Sequence, residues 1–502
     1  MIRGLLKWTG LLLLCVGIVW LGVIGYWFVT HADPSARDLV LYLVALPLAA
    51  FVLFVAVRAA GRALRSSDDD DDTEADTTVA ASTPSQEDRR CLLAGAALRL
   101  PAGDDGAAVL ATLHDGTTRP GLDDNLVDDA GLPVFACRVA ALDDEACSAE
   151  TLDLPDPARD ETAPLDWPLY QRRAIALLDQ SLEELAEVTL VPLIEPIEAQ
   201  SDSTASTARD ADEAAQPTIH GVRVFIVPPA DPAWSETTLQ SLARRYRQQL
   251  QARVGDACPP ITVEYLDPTQ PVPAMAALDG WLGRLAHGDR QEIAVVLALH
   301  SDIDPERIGT LDRAGRLFSQ ANPDGRIPSE GGVALLVAPE TLQPCFDTAE
   351  LIIAHRAILG ARDREIGSGG RENGKRLVQL VGEAIATAGR PASDTGCFLS
   401  DSGIGAARGV EIGAVFNNDA FEHLDSGADH LGLGSCCGDL DGVATVATLA
   451  LARQQSLDET HVVVVLSTRD ALQRAAQVLG PPIDETASDE TSNNQPAASS
   501  DA

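Results

Sequence analysis

The chain has 502 residues, 75 of them Asp or Glu against 37 Lys or Arg, for a formal net charge of −38, and 45% of it is apolar. That length holds two or three domains around a large core. A surface so acidic repels phosphodiester backbones, which excludes nucleic acid as a partner.

Residues 8–29, WTGLLLLCVGIVWLGVIGYWFV, and residues 39–57, LVLYLVALPLAAFVLFVAV, carry no charge. Each is long enough to cross a hydrocarbon core, and the pair is expected to form two membrane helices. A signal peptide would need a shorter apolar run and a small-residue cleavage site. Arg3 and Lys7 precede the pair, Arg58, Arg62 and Arg65 follow it, and only Arg37 is basic between them. This bias places both termini in the cytoplasm. A multi-pass protein of the bacterial inner membrane is expected, with residues 1–65 as anchor and the soluble part on the cytoplasmic side. Residues 66–90, SSDDDDDTEADTTVAASTPSQEDRR, lack apolar periodicity and read as a flexible acidic tether.

Beyond the tether, β-rich runs alternate with helical periods. Strands are expected at 91–100, 221–229, 261–267, 292–301, 331–339, 350–359, 396–402 and 461–468. Helices are expected at 170–188, 236–254, 274–288 and 374–389. The polar stretch 199–218 reads as a disordered insertion, GSGGREN (367–373) as a turn, and 481–502 as a disordered tail. Alternation of this kind implies α/β architecture, and the unbroken apolar runs IAVVLAL and VVVVL suit strands buried on both faces. Two successive sets suggest a duplicated core, with halves at 91–340 and 341–480.

Nine cysteines stand at positions 15, 91, 137, 147, 258, 345, 397, 436 and 437, with no CxxC pair. In a reducing compartment they are expected to be free. Adjacent Cys436 and Cys437 cannot readily take two corners of a zinc tetrahedron, and a disulfide between them would be strained. Two small buried side chains are the expectation there.

LLAGAALRLPAGDDGAAVLATLHDGTTRPGL (92–122) resembles the opening of a β-ketoacyl synthase, a strand, a polar loop and a helix. LDRAGRLFSQANPDGRIPSEGGVALLVAP (311–339) is similar to the segment leading into the last strand of that family's first half, with Glu330-Gly331-Gly332 in its turn. FLSDSGIGAARGVEIGAV (398–415) and GSCCGDLDGVATVATLALA (434–452) resemble the stretches that carry its two catalytic histidines. The resemblance implies a thiolase-like fold of two βαβαβαββ halves, and a homodimer or heterodimer through that core. A second, slighter likeness, in VRVFIVPP, EIAVVLALHSD and GGVALLVAP, is to the adapters of type VI lipase effectors.

The resembled chemistry needs a thiolate at a helix N-terminus, two imidazoles or an imidazole and an amide, and often a lysine. The nucleophile should follow the strand at 261–267, where the chain reads DPTQPVPAM, and no cysteine lies between Cys258 and Cys345. The first histidine position reads Leu399-Ser400-Asp401-Ser402, and the second, a Gly-His pair in the family, is Gly438-Asp439. Lys7 and Lys375 are the only lysines, and neither falls near Gly434, where the family's lysine is placed. Carboxylates there oppose an oxyanion instead of stabilising it.

Ser400, Asp401, Ser402, Gly438 and Asp439 are therefore the candidates for a vestigial pocket, with no catalytic residue, cofactor or metal assigned. Paired carboxylates can do acid/base work or bind a divalent cation, whereas Asp439 alone reads as an N-cap for the helix that follows. No G-x-S-x-G elbow surrounds the serines. His300 and His355 read as single packed imidazoles. Two functions fit. One is a membrane-tethered pseudoenzyme that binds another protein as adapter or scaffold, in association with secretion. The other is a noncatalytic, chain-length-factor-like partner of an active synthase in lipid or polyketide synthesis, which would need a buried acyl channel.

Overall fold

A computed structural model describes residues 89–482, apart from 117, 155–166, 195–217, 256–257, 271, 287–290, 321, 367–373 and 403–404. The expected anchor, the insertion, the GSGGREN turn and most of the tether and tail lie outside the described residues. Among the described residues, no helix is long and apolar enough to cross a membrane.

The first half runs β1 (Cys91–Arg99), α1 (Gly106–Asp115), a hairpin of β2 (Gly121–Val127) and β3 (Pro133–Ala136), and α2 (Leu169–Leu185). It continues with β4 (Gly221–Val227), α3 (Glu236–Val254), β5 (Ile261–Tyr265), α4 (Pro273–Leu285), β6 (Glu292–Ser301), α5 (Pro305–Arg313) and β7 (Glu330–Pro339). The second comprises β8 (Ile352–Ala354), β9 (Ile358–Ala361), α6 (Lys375–Ala388), β10 (Thr395–Ser400), α7 (Ala406–Phe416) and β11 (His430–Gly432). It ends with α8 (Gly442–Glu459), β12 (Val462–Ser467) and β13 (Gln473–Gly480).

The main sheet has the spatial order β11-β10-β12-β13-β8-β1-β7-β6-β4-β5, with β9 paired to β13. In the first half β1, β4, β5, β6 and β7 therefore lie in the order third, second, fourth, fifth, first. β8, β10, β11, β12 and β13 repeat that order. In each half the fifth strand, β7 or β13, runs antiparallel to its neighbours. The antiparallel pair of first strands, Cys91 opposite Ala354, joins the two sets. A repeated mixed sheet of this order is the thiolase-like arrangement, and it is α/β throughout.

Packing explains why the sequence settles there. Val443 to Ala452 on α8 are ten consecutive buried residues. A helix apolar on every side must be enclosed on every side. α8 touches strands of both halves, and with α1 and α4 it forms the shared core between them. On the far faces, α2 and α3 cover the first half, and α6 and α7 the second. Ala, Thr and Val fill eight of the ten positions from Val443 to Ala452, small side chains that let strands close in from both directions. At Gly332 in β7 an added Cβ would lie 2.5 Å from the Leu177 carbonyl carbon, so only glycine lets α2 approach. Ser181 then bonds the Gly332 carbonyl at 3.0 Å.

Two expectations are corrected. Residues 350–359 are not one strand: β8 ends at Ala354 and β9 starts at Ile358, with His355 in the gap, where its N–H donates to Val478. Glu330-Gly331-Gly332 lies inside β7, fully in the ladder, and not in a turn. β11, β13, α5, α7 and the hairpin carry no expectation from the residues.

Candidate functional site

The carboxyl ends of β10 and β12 open beside the loop before α8, the place where open α/β sheets bind ligands. A cavity of about 370 Å³ lies there, lined in part by Arg316, Phe318, Arg326, Asp401, Arg408, Gly438, Asp439 and Arg469. Of the five predicted pocket residues, the structure brings Asp401, Gly438 and Asp439 to this cavity.

Asp401 is 3% exposed and committed. Its Oδ2 accepts from Thr445 at 3.0 Å and Ser467 at 2.5 Å. Its Oδ1 accepts the N–H groups of Thr468 at 2.7 Å and Arg469 at 3.1 Å. Four donors leave this carboxylate no lone pair for a proton relay. Asp439 is held by Arg326 Nε at 3.1 Å and accepts the Asp441 N–H at 3.1 Å. It does not cap α8. The residue before that helix is Asp441, at φ +49°, with no side-chain bond to the helix. Asp441 pairs instead with Arg469, 2.9 Å away, and accepts the Ala230 N–H, also at 2.9 Å.

Behind this wall sits a charge network that sequence reasoning missed. Asp302, fully buried, faces Arg326 at 2.9 Å, Arg307 at 2.9 Å and His300 at 3.2 Å. Burial alone would raise its pKa, but Arg326 and then His300 outweigh burial and hold it below the usual carboxylate range. The sequence offered little warning, since Arg326 and Asp302 are far from Asp439 in the chain and only the fold joins them.

Ser400 and Ser402 stand aside, buried and bonded to one another at 3.0 Å. Ser400 Oγ lies 2.8 Å from His430 Nε2, a contact the residue pattern did not suggest. A serine beside an imidazole is the geometry of an activated nucleophile. Here Ser400 is 0% exposed, and burial lowers His430 to about 4, which makes it a weak base at neutral pH.

The start of α4, where the resemblance places a thiolate, carries Val272 at φ +45°. A β-branched residue in the left-handed region is a true outlier. Its isopropyl group lines a second cavity of about 30 Å³ with Gly442, Thr445, Ser467 and Arg469. Cys436 and Cys437 sit on the helical turn Gly434–Cys437, both buried. Burial pushes the Cys437 thiol far up, and Cys137, beside Cys436, is pushed up to about 12 by burial and by that neighbour. Thiols so shifted are not nucleophiles. Among the described residues no disulfide is present, and no group of three or more His, Cys, Asp or Glu could hold a metal ion. His355 is buried away from the cavity.

No family model matches the sequence, and no curated protein matches it. Several solved structures are similar in fold. An ishigamide ketosynthase/chain length factor is 14% identical, with 78% of this chain and 99% of that chain covered and a TM-score of 0.46. A ketosynthase domain of oxazolomycin synthesis from Streptomyces albus JA3453 is 16% identical, over 79% and 74%, with a TM-score of 0.49. A type II polyketide ketosynthase in complex with its acyl-carrier protein is 10% identical, over 78% and 100%, with a TM-score of 0.47.

Proposed function

We propose that this chain is a noncatalytic thiolase-like protein that works by binding another protein, as an adapter or scaffold held at a bacterial inner membrane. The carrying observation is the state of Asp401. It fills the first-histidine region of the resembled family with a carboxylate already occupied by four donors. Val272 at the nucleophile position and Asp439 paired to Arg326 support the same reading. A binding surface is at hand on the hairpin, where Leu122 is 59%, Leu132 61% and Phe135 38% exposed. Leu122 and Phe135 are cross-strand partners on one face, flanked by Asp124, Asp128 and Asp129. The apolar stretches 8–29 and 39–57 support the membrane tether.

Purified protein incubated with malonyl and acyl thioesters is expected to yield no condensation product. A product that vanishes on replacing one cavity residue would overturn the reading. Capture from detergent-solubilised membranes decides the kind of partner. A secreted effector would favour the adapter. An acyl carrier protein with an active synthase would favour a chain-length-factor-like role.

A further inference from the structure

Four arginines line the 370 Å³ cavity of a chain whose net charge is −38. Two are neutralised: Arg326 by Asp302 and Asp439, and Arg469 by Asp441. Among the described residues, Arg316 and Arg408 have no carboxylate within ion-pair distance. Of the three carboxylates that line the cavity, the two inner ones are spent. Asp401 serves four donors, Asp439 serves Arg326, and Asp324 stands exposed at the rim.

Arg408 is also fixed in place. Its Nε donates to the Thr468 carbonyl at 3.1 Å and its Nη2 to that of Arg469 at 2.7 Å. Nη1 is left without a partner among the described residues. Two backbone anchors hold the guanidinium plane, so little side-chain entropy is lost when something binds its free edge. Burial, and then the neighbouring Arg474, lower the Arg408 pKa, a destabilisation of the cation that an anion relieves. Phe318, Ile327 and Leu440 give the cavity an apolar side.

We infer that this cavity binds a small ligand through a phosphate or carboxylate group held by Arg408 and Arg316, with the rest of the ligand against Phe318, Ile327 and Leu440. Planar guanidinium groups suit both anions, which they grip through paired N–H bonds. The inference stands on the cavity and does not depend on the adapter reading.

The test uses the full chain in nonionic detergent, with inorganic phosphate and succinate titrated separately at constant ionic strength balanced by chloride. At least one is expected to raise the thermal midpoint in a saturable way. Saturation by phosphate alone assigns a phosphate ligand, and by succinate alone a carboxylate. Arg408→Gln and Arg316→Gln should each weaken the apparent affinity about tenfold or more, the effect of losing a charged hydrogen bond. Arg253→Gln, on α3, should not change it. Should Arg408→Gln fail to fold, Arg316→Gln, exposed and unpaired, decides alone. No saturable shift with either anion, or equal shifts in the wild type and Arg316→Gln, would overturn the inference.

Discussion

Arg326 Nε, just before β7, lies 3.1 Å from Asp439 Oδ2, just before α8, so one ion pair bridges the two halves beside the cavity. The same nitrogen is 2.9 Å from Asp302, and the two carboxylates differ in exposure, 0% for Asp302 against 31% for Asp439. Removing Arg326 takes one of two guanidinium partners from a fully buried carboxylate and leaves Arg307 at 2.9 Å, whereas removing Asp439 frees only a half-buried contact. Arg326→Met should cost about 1.5–3 kcal/mol in urea unfolding, the loss of one charged contact while Arg307 still faces Asp302. Asp439→Asn should cost about 1 kcal/mol or less. Equal losses would mean that Asp302 does not depend on Arg326.

Arg173 and Glu330 form a second buried pair, both 0% exposed, joining α2 to β7 at 2.7 and 2.8 Å. Glu330 also accepts the Val139 N–H at 2.9 Å and Ser301 at 3.1 Å. Arg173→Met leaves this carboxylate uncompensated and should destabilise by about 3–5 kcal/mol. Adding Glu330→Gln, which keeps hydrogen-bonding capacity but removes the charge, should recover part of the loss. A double variant no more stable than the single one would place the cost in packing instead.

How much of this was legible in the residues follows from which interactions are local. The runs EIAVVLALHS and HVVVVLST announced β6 and β12, because strands buried on both faces write an unbroken apolar signal. β13, QRAAQVLG, begins with Gln and Arg and is rich in Ala, so its place in the sheet shows only through its partners β12 and β8. The Asp439 cap was a sound local expectation that a distant arginine defeated. Arg326 draws that carboxylate away, and Asp441 takes the position before the helix. The Ser400–His430 contact likewise needed the pairing of β10 with β11 to exist.

His430 gives stability a dependence on acid. Its pKa falls from 6.5 to about 4 on folding because burial disfavours the cation. Between those values the unfolded chain binds more protons than the folded one, so stability drops as pH is lowered through that window. The full loss approaches about 3 kcal/mol. Burial also lowers His461, which acts with the same sign. The His430→Gln variant should therefore lose less stability than the wild type between pH 7 and pH 4.5, measured by urea unfolding at each pH. Parallel curves would remove His430 as the cause.

Thiol reactivity should sort by burial. Cys436 is 3% and Cys437 0% exposed, whereas Cys258 and Cys345 are half-buried. With iodoacetamide at pH 8 and peptide mapping, Cys258 and Cys345 should label first. Cys137, Cys436 and Cys437 should wait for denaturant, since burial keeps the Cys137 and Cys437 thiols protonated at that pH. Rapid labelling of Cys437 in the native protein would contradict the packing around the Gly434–Cys437 turn.

Val272 offers a test of stored strain at the residue before α4. Its φ of +45° costs on the order of 1–3 kcal/mol for a non-glycine residue. Val272 is 7% exposed, and its isopropyl group contributes about 1–2 kcal/mol by burial. Val272→Gly removes both terms and adds about 0.5–1 kcal/mol of chain entropy, so its net effect should lie near zero. Val272→Ala keeps the strained backbone and loses most of the burial, so it should be the less stable of the two. Thermal and urea unfolding of both variants settle the order. An alanine variant as stable as the glycine one would mean that the backbone relaxes once the branched side chain is gone.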